Sequence, residues 1–187
     1  DDLIPTNNHK KDFVKAQEES YKTIIDICKK YDSGEILLFS IGRKEITQAV
    51  DYLNTYLPQG NICLPFFSEL NGKYRTMIEK IENYIGKIRN LRGNISKEWG
   101  SEYIEIKDVP ENTYKRAIII ATNVAEASIT IKTLKFEVDT GYAKVSKFND
   151  NLLSSVINIE PISESSRIQR KGRVGRTSNG IIYHMYP

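Results

Sequence analysis

The chain has 187 residues, which is enough for one well-cored domain. Hydrophobic residues make up 40% and charged residues 27%, a balance that excludes a disordered or fibrous protein. The formal net charge of +3 excludes a histone-like protein that binds polyanions through bulk charge, so a basic binding surface must be local.

Neither a membrane span nor a metal site is predicted. Apolar residues never run for the roughly 20 positions that a spanning helix needs, and the first residues, DDLIPTNNHKK, lack the apolar core of a signal peptide. Cys28 and Cys63 lie in apolar patterns typical of buried free thiols, and the two Cys and two His have no metal-site spacing. We expect a reducing, intracellular compartment and no membrane partner.

The first third of the chain alternates helices and strands. Residues 12–31 place apolar side chains at intervals of three and four, which predicts an amphipathic helix. Residues 35–39, EILLF, form a continuous apolar run typical of a strand buried on both faces. An amphipathic helix over residues 43–56 and a second buried strand over residues 61–67 follow.

The middle of the chain is less regular. Helical spacing from residue 70 to about residue 108 favours one long helix. Its cationic stretch, residues 87–97, is interpreted as a solvated helix face, with an added strand-binding surface as the alternative. Residues 115–121, KRAIIIA, are the most β-branched run and predict a central strand, and residues 134–139 predict another.

The last third begins with a hairpin. Residues 143–148 and 154–159 alternate apolar and polar side chains around an Asn-Asp-Asn turn, which predicts a β-hairpin. A helix over residues 163–176 and a strand over residues 180–186 complete the chain. Strands alternating with helices predict an α/β domain with a mostly parallel sheet flanked by helices.

Positive charge is concentrated in residues 167–176, RIQRKGRVGR, where five of ten residues are cationic and none is acidic. On a helix, Gln169, Arg173 and Arg176 form one stripe. Two glycines in this segment each cost about 1 kcal/mol relative to alanine in a helix interior, which indicates close approach of a ligand to the backbone. Arginine recognises phosphate oxygens in a bidentate manner, so a nucleotide phosphate is the expected guest. The alternative is a solvated basic face with flexible glycines.

A second candidate segment, residues 121–131, ATNVAEASITI, begins where the predicted central strand ends. The carboxyl edge of a parallel sheet is where α/β proteins bind ligands. Small polar groups suited to phosphates and sugars follow each other here: Thr122, Asn123, Glu126, Ser128 and Thr130. The alternative is a helix cap and turn.

These segments resemble motifs of the DEAH/DExH-box helicases of superfamily 2. Residues 121–131 are similar to motif V, and residues 169–176, QRKGRVGR, match the QRxGRxGR pattern of motif VI. Residues 35–46 resemble motif IV, residues 64–70 resemble the family's LP-aromatic-aromatic-S segment, and residues 138–141 resemble its VDxG segment.

The resemblance covers nearly the whole chain except residues 84–108, which we interpret as a family-divergent insertion in a single domain over residues 1–187. It implies a second, C-terminal RecA-like domain, with three layers, a mostly parallel sheet and a β-hairpin between motifs V and VI. The insertion and the Lys/Ile/Asn-rich composition look more like a divergent helicase of a large cytoplasmic DNA virus, which would place the protein in the cytoplasm or the virion.

The resemblance also implies roles for individual residues. Gln169 would position the attacking water, Arg173 and Arg176 would contact the nucleotide phosphates, and Arg176 would be the arginine finger. Further nucleotide contacts would come from Ser128 and Thr130. Contacts to a nucleic-acid backbone would come from Thr122, Asn123, Ser40, Gly42 and Ser68.

The implied function is NTP-driven 3′–5′ translocation along, and unwinding of, single-stranded RNA or DNA. The cofactor would be ATP or another NTP with Mg²⁺. The chain contains neither G-x-x-x-x-G-K-[ST] nor Asp-Glu-x-His, so we expect the Mg²⁺ ligands in a first RecA-like domain and no hydrolysis by this fragment alone. Two alternatives are a non-catalytic, helicase-like nucleic-acid-binding domain and an unrelated α/β nucleotide-binding enzyme.

Overall fold

A computed structural model describes residues 8–67, 72–88, 109–123, 129–174 and 179–186. The helices are α1 (Asn8–Lys30), α2 (Arg43–Tyr56), α3 (Gly72–Glu79), α4 (Ile81–Tyr84) and α5 (Glu164–Lys171). The strands are β1 (Glu35–Phe39), β2 (Asn61–Phe66), β3 (Arg116–Ala121), β4 (Leu134–Asp139), β5 (Tyr142–Asn149), β6 (Ser154–Pro161) and β7 (Ile181–His184). A 3₁₀ turn, Ile85–Lys87, follows α4.

A five-stranded parallel sheet in the order β2-β3-β1-β4-β7 forms the centre of the fold. Strands β5 and β6 form a separate antiparallel hairpin. Every residue of β1 and β3 is buried, as expected for apolar strands covered on both faces. The predicted α/β class, the mostly parallel sheet and the hairpin between motifs V and VI are therefore confirmed.

Helices pack on both faces of this sheet. The ring of Tyr31, just after α1, lies 4.8 Å from the ring of Phe136. The guanidinium of Arg170, in α5, lies 4.7 Å from the ring of Phe39. Phe136 is in register with Ile36, three residues before Phe39, so the two phenylalanines point to opposite faces. The helix α1 and the helix α5 thus cover opposite faces and complete three layers.

The amphipathic helices bury most of the side chains that their periodicity predicts. On α2 these are Ile46, Ala49, Val50 and Leu53. On α1, Phe13, Ala16 and Ile24 are buried, whereas Cys28 and the adjoining Tyr31, which the same spacing predicts to be inward, are partly exposed. Spacing by threes and fours puts these side chains on one stripe of each helix. Near the start of α1, Phe13 packs on Tyr142 of the hairpin, with the ring centroids 6.3 Å apart.

Two helix predictions are wrong in extent. The single long helix beyond residue 70 is interrupted at Lys80, whose φ of −112° and ψ of 36° are not helical. Ile78 and Ile81 are nevertheless both fully buried, which explains why the apolar spacing looked continuous. The last helix ends at Lys171, with Gly172 as its C-cap, rather than at residue 176. Residues 89–108, most of the predicted insertion, lie outside the described residues.

Both cysteines are free thiols, Cys63 buried and Cys28 partly exposed. Within the described part of the chain, no helix is both long enough and apolar enough to cross a membrane.

Truncation in the central strand tests this core. Leu37 is fully buried in β1, so Leu37→Ala should lower the free energy of unfolding by about 2–5 kcal/mol in urea denaturation. Leu152, which is 66% exposed, provides the control, since Leu152→Ala should change that energy by less than about 0.5 kcal/mol. Equal effects of the two substitutions would contradict the assigned core.

Candidate functional site

Four parallel strands end at the same level of the sheet. Phe39 at the end of β1 is in register with Ala121 of β3 and with Asp139 of β4, and Ala121 is in register with Phe66 of β2. The segments that follow these strands therefore leave the sheet side by side, at its carboxyl edge. They are the segments interpreted from the sequence as motif IV, motif V, the VDxG segment and the LP-aromatic segment.

Hydrogen bonds continue the sheet by one residue at this edge. The Ser40 N–H donates to the Ala121 carbonyl over 2.7 Å. The Thr140 hydroxyl donates to the Phe39 carbonyl, also over 2.7 Å. Hydrogen bonds to backbone carbonyls thus link motif IV to motif V and to the VDxG segment.

The hairpin returns the chain to this edge, where α5 begins. The Ile162 N–H donates to the Gly141 carbonyl over 2.9 Å, which fixes the end of the hairpin beside β4. Ser163 is the N-cap of α5, and its hydroxyl oxygen accepts from the Ser166 N–H over 3.1 Å. Because α5 starts here, its next two turns lie across the strand ends.

Arg170 of α5 is fully buried, and its guanidinium contacts the end of β4, the residues after β3 and the start of β5. Its Nη1 donates to Asp139 Oδ1 over 2.7 Å. Its Nη2 donates to Asn123 Oδ1 over 2.8 Å and to the Tyr142 carbonyl over 3.3 Å. Sequence reasoning grouped Arg170 with the other cations of its segment and assigned it no role. A VDxG aspartate and a QR pair in one chain were the available signal for this pairing.

Asp139 is held by further groups. The Gly141 N–H donates to Asp139 Oδ1 over 2.8 Å, and the Tyr186 hydroxyl donates to Oδ2 over 3.5 Å. Burial, and then the charge of Asp139, raises the pKa of Tyr186 to about 12, so its phenol stays protonated. Gly141 has a φ of +82°, and a Cβ there would lie 2.2 Å from the Tyr186 ring, so glycine is required at this position.

Of the three motif VI residues predicted to bind phosphate, the structure describes Gln169 and Arg173, and these two lie close together. Gln169 is exposed on α5, and Arg173 lies one turn further on, partly buried. The Arg173 N–H donates to the Arg170 carbonyl over 3.1 Å, so the chain keeps turning beyond the end of the helix. The Arg173 side chain donates to the Gln169 carbonyl (3.4 Å) and to the Ile129 carbonyl of motif V (3.3 Å). Arg176 lies outside the described residues.

The predicted motif V residues lie at different depths. Thr122 is partly buried and Asn123 is exposed, with its Oδ1 turned to Arg170. Thr130 is exposed, beyond the buried Ile129. Ser128 and Glu126, with Ser68 of the LP-aromatic segment, lie outside the described residues.

The two predicted contact residues of motif IV have close neighbours. Ser40 is fully buried, and its hydroxyl donates to Gln17 Oε1 over 2.6 Å, so a strand contact by this hydroxyl requires that bond to open. Gly42 lies under Lys144, whose Nζ would be 2.8 Å from a Cβ at position 42. Lys144 is itself held by an ion pair of 2.7 Å with Glu45. A side chain at position 42 would therefore displace Lys144.

Glu137 is a second buried acid that sequence reasoning missed. It is fully buried in β4, and neither carboxyl oxygen has a hydrogen-bond partner in the described structure. Burial, and then the charge of Asp139, raises the pKa of Glu137 to about 9, although Arg170 and Arg173 oppose the shift. The side chain is therefore neutral at pH 7. A glutamate between the apolar Phe136 and Val138 of the strand LKFEVD was the available signal.

The chain is similar in sequence to proteins named as ATP-dependent RNA helicases. The protein R366 of Acanthamoeba polyphaga mimivirus, named as an ATP-dependent RNA helicase, is 39% identical over 167 residues, which are 88% of this chain and 9% of that protein. The ATP-dependent RNA helicase HrpA of Borreliella burgdorferi is 34% identical over 163 residues, which are 87% of this chain and 16% of HrpA. No protein-family model matches the chain.

Among solved structures, the DExH-box NTPase HrpB of E. coli has the same fold, with a TM-score of 0.63 and 22% identity over 92% of this chain and 17% of HrpB. The shared fold is an α/β domain with a mostly parallel sheet. The chain is homologous over most of its length to DEAH/DExH-box ATP-dependent RNA helicases, which confirms the family resemblance. It spans less than a fifth of each of the three relatives compared above.

The buried acid makes stability depend on pH. Folded Glu137 keeps its proton up to about pH 9, whereas the unfolded side chain loses it above its ordinary pKa of 4.5. The free energy of unfolding should therefore fall as pH rises through this window, by at most about 4 kcal/mol between pH 5 and pH 8.

Glu137→Gln should remove this contribution, so the loss of stability between pH 5 and pH 8 should be smaller than in the wild type in urea denaturation. Glu18, exposed on α1, provides the control, and Glu18→Gln should keep the wild-type slope. An unchanged slope in Glu137→Gln would show that Glu137 is ionised in the folded chain.

Proposed function

We propose that this chain is the second RecA-like motor domain of a DEAH/DExH-box helicase, which couples NTP hydrolysis to 3′–5′ translocation along, and unwinding of, RNA or DNA. The observation that carries this proposal is the position of α5. It brings Gln169 and Arg173 to the carboxyl edge of the sheet, with Arg173 against the motif V carbonyl of Ile129. The names of the homologous helicases support the same activity.

The nucleotide phosphates are proposed to bind motif VI. An exposed amide at Gln169 and a guanidinium at Arg173 are donors of the kind that phosphate oxygens accept. Gln169 would orient the attacking water, and Arg173 and Arg176 would neutralise charge on the transferring phosphoryl group. A finger such as Arg176 contributes about 10³–10⁵ in rate. Ser128 and Thr130 would add contacts to the nucleotide.

We assign the Mg²⁺ ligands to a first RecA-like domain of the same protein, which would also supply the phosphate-binding loop, because Asp-Glu-x-His does not occur in these 187 residues. Within the described ranges, no group of three His, Cys, Asp or Glu side chains is placed to hold a metal ion. That first RecA-like domain is the proposed partner of the carboxyl edge.

A single strand of nucleic acid is proposed to cross motifs IV and V and the LP-aromatic segment. Thr122 and Asn123 would contact its backbone, with Ser40, Gly42 and Ser68 alongside. Contacts to phosphates and sugars carry no sequence information, so binding should be independent of sequence.

The 39% identical mimivirus relative supports a viral origin. We propose that residues 84–108 are an insertion in one domain over residues 1–187.

Removal of the motif VI arginines tests the assigned roles. In the full-length protein, Arg173→Ala or Arg176→Ala should lower NTP hydrolysis by about 10³-fold or more while single-strand binding is kept. Arg167, exposed and paired with Glu164 on the same helix, provides the control, and Arg167→Ala should retain hydrolysis. If Arg173→Ala abolishes both NTP hydrolysis and strand binding, or neither of them, the assigned role of Arg173 is wrong. If the wild-type protein itself does not hydrolyse NTP, the non-catalytic alternative is favoured.

The isolated 187-residue chain should not hydrolyse NTP, because it contains no phosphate-binding loop. A phosphate-release assay on the purified chain, with the full-length protein as the positive control, measures this. Turnover by the isolated chain that disappears on Arg176→Ala would contradict the division of roles between two domains.

A further inference from the structure

We infer that Arg170 is a positioning residue that couples nucleotide binding to nucleic-acid binding, because its guanidinium ties α5 to Asn123 of motif V. The inference rests on the proposed function and adds a role for a residue that contacts neither ligand. Arg170 follows Gln169 directly on α5, but Gln169 is exposed and Arg170 is fully buried. The helix thus presents one side chain to the nucleotide side and the next to the interior.

The guanidinium joins the ends of two strands. Nη1 holds Asp139, the last residue of β4, at 2.7 Å, and Nη2 holds Asn123, two residues after β3, at 2.8 Å. The planar fork of arginine gives each acceptor its own nitrogen, whereas lysine would have to serve both from one nitrogen on a shorter side chain. A movement of α5 therefore acts on Asn123 of motif V through this side chain, beside the separate hydrogen bond from Arg173 to the Ile129 carbonyl.

The bridge is rigid because its other components are fixed. Phe39 packs on the guanidinium at 4.7 Å, and the Asp139 carboxylate is held by the Gly141 N–H at 2.8 Å. Neither the Arg170 nor the Asp139 side chain is exposed by more than 1%. Water therefore cannot replace the hydrogen bonds of the pair, and breaking them would leave a buried charge without its partner.

The bridge also fixes the orientation of the Asn123 amide. Because Oδ1 accepts from Arg170, the amide N–H₂ of Asn123 is left to donate to a ligand. A phosphate oxygen of a nucleic-acid backbone accepts hydrogen bonds and does not donate them. Arg170 thus holds Asn123 in the orientation that suits a phosphate, and a shift of α5 on nucleotide binding changes that orientation.

The test is the effect of nucleotide on strand affinity in the full-length protein. Fluorescence anisotropy with a labelled oligouridine gives Kd with and without a non-hydrolysable ATP analogue. The ratio of the two Kd values is the coupling factor, for which about 5–150-fold is typical. In Arg170→Lys this factor should fall close to 1. Arg167→Lys, three residues earlier and exposed, should keep the wild-type factor.

A purely structural role gives a different result. Destabilisation alone would lower the melting temperature and raise both Kd values by the same factor. Their ratio would then be unchanged, and that result would overturn the inference. If Arg170→Lys does not fold, Asp139→Asn with Arg170→Gln replaces the ion pair by two neutral amides. Because the glutamine is too short to bridge both acceptors, the ratio should again fall close to 1. Asn123→Ala should also lose the coupling, and Arg170→Lys added to it should change the ratio no further.

The outcomes separate this inference from the proposed function. A wild-type protein that neither hydrolyses NTP nor binds the oligonucleotide would contradict the proposed function, and the inference with it. A wild-type protein with a coupling factor that Arg170→Lys retains would contradict the inference alone.

Discussion

The buried pair of Arg170 and Asp139 is the contact on which the site depends. Its 2.7 Å bond connects α5 to the end of β4, and the same guanidinium reaches Asn123 after β3. A buried ion pair needs full hydrogen-bonding to offset the cost of removing both charges from water. Here the Gly141 N–H donates to the Asp139 carboxylate, and the Phe39 ring packs on the Arg170 guanidinium. The residues that hold this pair in place therefore lie in or beside the segments proposed to bind the ligands.

The parallel sheet makes this concentration of function possible. Because β2, β3, β1 and β4 end in register, four segments that are far apart in the chain meet at one edge. The hairpin brings α5 back to the same edge, where its exposed face carries Gln169 and its buried face Arg170. One short helix thus separates the groups proposed to meet the nucleotide from the group that holds the scaffold together. The two roles alternate along the helix because successive residues point in different directions.

Much of the fold could be predicted from the sequence, since strands of a parallel sheet are continuous apolar runs and helices repeat by threes and fours. The break at Lys80 could not be predicted, because Ile78 and Ile81 keep helical spacing across it. The site was predictable where motifs are local. Arg170 was missed because its partner Asp139 is 31 residues away, and a run of cations does not reveal which one is buried.

Motif VI of this chain is proposed to face nucleotide phosphates while Arg170 stays within the scaffold. A structure of the full-length protein with a non-hydrolysable ATP analogue and Mg²⁺ tests this directly. We expect the guanidiniums of Arg173 and Arg176 about 3 Å from phosphate oxygens, and Arg170 still bound to Asp139 and Asn123. A nucleotide bound away from α5, or Arg170 released from Asp139 to contact a phosphate, would contradict this expectation.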